Sequence, residues 1–162
     1  MAELTNLEDK LGEVIGLAMA AQAATAKITK LTDDEELASV LDRMSSEAAD
    51  AEERGTQLAS SFEGKKTAIL DKARETKSKG QKMMDTYLDS DADDLDGLEF
   101  LTMAEAGEVG HWKVLLQMAE GSGDSSVTEY ARWGVPIQER HFQEAQAGCL
   151  KLAAEEDPNK AS

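Results

Sequence analysis

The sequence predicts an all-α protein: an antiparallel four-helix bundle with a further helix in the crossover between its second and last pairs. Three observations lead there. Aromatic residues make up only 4% of the 162 residues and prolines number two, while Ala, Glu, Leu and Lys dominate. That is the composition of packed helices rather than of sheets rich in Val, Ile and Tyr. Apolar residues recur every three or four positions in one stretch after another. Short polar joints connect the first two and the last two stretches, and short joints make consecutive helices antiparallel neighbours. The length suits one domain over 1–162, large enough to bury a core.

The first helix, about 4–30, is capped by Thr5 or Asn6, with Glu8 and Asp9 in the first turn where the macrodipole favours them. Its stripe is Leu4, Leu7, Leu11, Val14, Ile15, Ala18, Gln22, Thr25 and Ala26, and Gln22 is its inward polar member. The Ala-rich run AMAAQAATA allows close approach of a neighbouring helix. The second helix, about 34–63, is capped by Thr32 or Asp33 and faces inward through Leu37, Val40, Leu41, Met44, Ala48, Ala51, Gly55, Leu58 and Phe62. Glu47 and Glu52 flank that face, where solvated acids are the commoner case.

Glu63-Gly64 is a natural break, Gly supplying a left-handed cap. The helical phase runs on through it, so 35–88 is either one long helix or two; ordinary helix lengths favour a separate helix over 66–88. KARETKSKGQK has few apolar residues and reads as a loosely packed crossover. The acidic loop LDSDADDLDG caps the fourth helix, about 95–120. It does not fit an EF-hand, since Asp94 and Phe100 stand where Gly and Glu are required. The last helix, about 125–156, faces inward through Val127, Ala131, Gly134, Gln138, His141, Phe142, Ala145, Cys149 and Leu152. Pro136 should kink it or open a carbonyl inside the bundle.

Charge and cysteine content exclude several roles. A net charge of −16 argues against nucleic acid and anionic membrane as partners, both of which need a basic surface. With Cys149 alone there is no internal disulfide, and neither a signal peptide nor an apolar run of membrane-spanning length stands out, so a cytoplasmic site is expected. A homo-oligomer, dimer or higher, is expected, and a protein partner could use the Ala-rich first helix or the acidic surface.

The chemical signal lies on the last two helices. In LEFLTMAEAGEVGHWKVLLQMA, Glu105 and Glu108 fall in the middle of the apolar stripe. A buried carboxylate costs several kcal/mol unless paired, hydrogen-bonded or bound to metal. Gln138 and His141 are likewise central on the last helix, so antiparallel packing brings the four together. Glu108-Val-Gly-His111 is a Glu-x-x-His motif, although His111 projects to the edge of the stripe, and Gln138-Glu-Arg-His141 keeps that spacing with an amide for the acid. Carboxylates and imidazoles projecting from facing helices are how di-iron and di-manganese bundles hold metal. Cys149 and His141 lie about 12 Å apart along their helix, too far for a nucleophile pair.

At these residues the sequence resembles the ferritin-like superfamily, and more closely its bacterial YciE/YciF-type stress-associated branch. EVGHWKVLLQMAEGSGDSSVTEYARWGVPIQERHFQEA is similar to that branch's final helix pair, and ELASVLDRMSSEAADAEERGTQL to its second helix. The resemblance implies a ferritin-like fold over nearly the whole chain and descent from a metal-binding bundle. The chain departs from the pattern at Ala48 and Ala51, where the second helix has no histidine, at Gln22 for an inward acid on the first helix, and at Gln138. A di-metal centre needs about six protein ligands, so a complete ferroxidase centre is not expected.

Two functions follow. In one, Glu105, Glu108 and His141 hold a single iron, manganese or zinc ion, with Gln138 beside them and Glu47, Glu52 and His111 as further candidates. Oxidation chemistry is then accessible without being demonstrated. In the other, a non-catalytic bundle used for assembly or partner binding, Glu105 and Glu108 are protonated or pair with Gln22, Gln138 and a protonated His141.

Overall fold

A computed structural model describes residues 2–161. Its helices are α1 (Asn6–Thr29), α2 (Glu35–Ala59), α3 (Lys66–Tyr87), α4 (Asp94–Ser122) and α5 (Ser125–Glu155), and the described residues include no strand. None of these helices is long and apolar enough to cross a membrane.

Side-chain caps set four of the five starts. Thr5 accepts from the Glu8 N–H while Glu8 accepts from the Thr5 N–H, a reciprocal capping box, and Asp93 and Asp96 repeat it at α4. Asp124 accepts from the Val127 N–H at the start of α5. At α2 the cap is Asp34 rather than Thr32 or Asp33: its carboxylate accepts from the Leu37 N–H at 3.0 Å, while the Thr32 hydroxyl accepts from the Asp34 N–H at 3.2 Å. Residues 35–88 form two helices. α2 stops at Ala59 with Ser60 as a right-handed cap, so Gly64, at φ +72°, shapes the connecting turn instead of capping the helix.

Cross-helix partners give the directions. Trp112 lies against Gly134, Thr102 against Cys149 and Leu98 against Gly148, so α4 and α5 are antiparallel. Gln22 meets Glu52 and Ile15 meets Gly55, so α1 and α2 are antiparallel too. α1 also packs on α4, and α2 on α5. The α3 helix runs parallel to α1, Gly12 facing Ile69, Gly16 facing Ala73 and Gly80 facing Ala20.

That seam corrects the expectation of a loose crossover. A β-carbon on Gly16 would overlap the Ala73 carbonyl, and one on Gly12 would sit 2.7 Å from the Ile69 oxygen. Glycines on the back of α1 let the α3 backbone come close, so few large apolar residues are needed to hold it. Ala26, by contrast, is exposed, because α1 turns Ala24, Thr25 and Ile28 inward at this end. On α5, Phe142 and Cys149 are half-buried while Tyr130 and Gly148 are buried. Pro136 sits on the exposed side of an unbroken helix, as does Arg132, whose carbonyl loses its donor there, so the opened carbonyl is offered to solvent rather than to the interior.

The apolar core is in two parts. One gathers Leu11, Val14, Ile15, Trp112, Leu115 and Tyr130. The other gathers Ile28, Leu41, Met44, Leu98, Leu101 and Met84. Glu105, Glu108, Gln138 and His141, all buried, fill the level between them.

Candidate functional site

The polar level takes Glu105 and Glu108 from α4, Gln138 and His141 from α5, and Glu47 from α2. Each pair from α4 or α5 is three residues apart, so both members face the same way from one turn of helix. Gln138 Nε2 donates to Glu105 Oε2 in a short contact. His141 Nδ1 stands 3.9 Å from that same oxygen, and Nε2 stands 3.6 Å from Glu47 Oε1. Neither is a hydrogen bond, and the buried Nε2 atom has no partner. Glu47, Glu108, Gln138 and His141 line one cavity of about 10 Å³, together with Trp112 and Trp133. It has room for about one water molecule.

Electrostatics divides the acids into two kinds. Burial pushes the Glu105 carboxyl up to about 8, against the hydrogen bond from Gln138. Burial, then the charge of Glu105, pushes Glu108 well above the usual carboxylate range, and no hydrogen bond offsets it. At neutral pH Glu105 therefore holds its proton, and Glu108 is driven the same way. Burial would also raise Glu47, but hydrogen bonds from Arg140 and Arg43 outweigh it and hold this carboxylate low. Arg43 Nη1 lies 3.0 Å from Glu47, and its Nη2 lies 2.6 Å from Glu144, so two guanidinium groups and two carboxylates tie α2 to α5. His141 is lowered, chiefly by burial and against the pull of Glu47, which makes it a neutral imidazole instead of the protonated partner expected.

Other expected members lie elsewhere. His111 is half-buried in a charged group at the α1–α4 edge, its Nδ1 3.3 Å from Glu13 Oε2 and 3.4 Å from Lys10 Nζ. Gln22 donates to Glu52 at 2.5 Å rather than to Glu105 or Glu108, because the half-buried side chain lies at the α1–α2 seam. Among the described residues no three His, Cys, Asp or Glu side chains are disposed to hold a metal ion.

Sequence reasoning missed the arginines and the aromatic wall. Arg43 and Glu47 show their i,i+4 spacing in the sequence, whereas the reach of Arg140 across to Glu47 depends on helix rotation. Tyr130 donates to the Ala51 carbonyl at 2.7 Å and packs 4.9 Å from Trp112, and Arg54 lies 4.3 Å over the Trp133 ring. Gly134 is what admits Trp112, since any β-carbon there would run into the indole. Comparison of the chain with protein-family models, with curated proteins and with solved structures found no match.

Proposed function

We propose that this chain is a ferritin-like four-helix bundle whose interior site holds protons where its relatives hold metal, and that it works as a non-catalytic assembly or partner-binding protein. What supports the ferritin-like reading is the order of packing. α1 and α2 form one antiparallel pair, α4 and α5 another, and α3 spans the crossover that leaves α2 and α4 parallel. The single observation that carries the proton-holding reading is the engagement of the donors. Arg43 and Arg140 hold Glu47, Gln138 holds Glu105, and among the described residues no three donors remain together. A divalent cation there would also face two guanidinium groups.

The net charge of −16 makes a protein surface, another copy included, a better partner than nucleic acid or anionic lipid. The half-buried Cys149, 3.2 Å from the Thr102 hydroxyl, suits a cytoplasmic setting. One observation favours a second reading: the buried Nε2 of His141 has no partner, and it shares its cavity with Glu108, Glu47 and Gln138, which could hold one iron, manganese or zinc ion with it. Elemental analysis separates the two. Protein purified without chelator, and again after incubation with ferrous iron, manganese and zinc, is expected to carry no stoichiometric ion. One ion per chain, lost in Glu108→Ala and His141→Ala, would overturn the first reading in favour of the second.

A further inference from the structure

A second and larger cavity, of about 180 Å³, lies between α1, α3 and α4. Its walls are almost wholly apolar, Met84 and Phe100 among them, and its polar lining residues are Gln81, Glu105, Glu108 and His111. It opens where α3 and α4 scarcely touch, with Met83 and Met103, both about half exposed, at the mouth. An apolar cavity of about 150 Å³ accepts a benzene ring, so this one is of a size for a small aromatic or aliphatic body. Methionines at its entrance supply an adaptable, polarizable wall.

We propose that this cavity binds a small apolar amine, Glu108 releasing its proton to solvent on binding so that the ammonium group meets a carboxylate, with the hydrocarbon body filling the space between α1, α3 and α4. The proposal rests on the reading above that Glu108 holds no metal. Glu108 is buried, is hydrogen-bonded by no protein group and lines the cavity, so it lacks the partner that a buried acid requires. The nearby guanidinium groups are committed elsewhere, to Glu47 and Glu144. A hydrocarbon alone would leave the carboxyl unpartnered, and an organic anion would add a like charge inside a chain of net charge −16. An ammonium group supplies donors, and opposite charge, to an acceptor-only carboxylate.

The test is a titration of the full chain with 2-phenylethylamine, ethylbenzene and phenylacetate in parallel, read by calorimetry and by methyl resonances of Met83, Met84 and Met103. The amine is expected to saturate the site about tenfold or more tighter than either analogue, the gain typical of a charged hydrogen bond. Glu108→Gln, which keeps the size and removes the charge, should reduce the amine to the level of ethylbenzene. Met103→Arg, an exposed cation at the mouth, should weaken the amine and spare ethylbenzene, and it serves should the first variant not fold. Equal binding of ethylbenzene or phenylacetate, an unchanged Glu108→Gln, or no amine binding at millimolar concentration overturns the proposal. Metal analysis of the same sample keeps the two readings apart. Amine that binds only after chelation removes an ion refutes the metal-free reading and leaves the site standing, whereas ion-free protein that ignores the amine refutes the site alone.

Discussion

Replacing Glu105 by glutamine should make the protein less sensitive to alkali. In the folded chain this carboxyl, 1% exposed, titrates at about 8, against 4.5 for the same group in a free chain. Between those two values the folded state binds more protons than the unfolded state. Stability therefore falls as pH rises through that window, by about 1.4 kcal/mol per pH unit for one group. From pH 5 to pH 8 the loss assigned to Glu105 is about 4 kcal/mol, and above its folded value the penalty is complete. Glutamine at 105 has nearly the same shape, does not titrate, and offers an oxygen to the Gln138 amide that now bonds the acid. The assay is urea unfolding followed by far-ultraviolet circular dichroism below pH 4.5 and at pH 5.5, 7 and 8.5. Measured against acid conditions below pH 4.5, the variant should gain about 1.4 kcal/mol on the wild type by pH 5.5 and several kcal/mol by pH 8.5. Curves that run parallel across the range would refute the argument, because Glu105 would then be ionised or solvated in the folded protein.

Three further outcomes follow from the packing. Gly16→Ala should destabilise by about 1–3 kcal/mol through its clash with the Ala73 carbonyl, whereas Gly107→Ala, with nothing near the new methyl, should stabilise by about 0.5–1 kcal/mol in the same urea titration. Tyr130→Phe removes the hydroxyl that donates to the Ala51 carbonyl, and the loss should be about 1 kcal/mol by thermal unfolding. Arg140→Met removes a charge that disfavours protonation of His141, so the imidazole, held down mainly by burial, should titrate at higher pH by proton NMR. An unmoved titration would mean that Arg140 does not lie beside His141.

Much of this protein follows from local pattern. The helices were legible, with 35–88 left as one helix or two, because stripes such as Leu11, Val14, Ile15 and Ala18 repeat at the helical period, and because Thr5, Asp93 and Asp124 offer side-chain oxygens where the first free N–H groups need them. Burial of Glu105, Glu108, Gln138 and His141 was legible for the same reason, since each interrupts an apolar stripe at its centre. What each buried group pairs with was decided only by the fold. Whether Glu47 meets water or Arg140, whether Gln22 reaches Glu105 or Glu52, and whether His111 joins the interior or the Glu13 edge all depend on how one helix is rotated against another. Rotation is set by volume at the seams, by Gly12 and Gly16 beneath α3 and by Gly134 beneath Trp112. A glycine in a sequence does not say which neighbour will occupy the space it leaves. Periodicity is a property of one helix and survives in the sequence, while pairing is a property of two.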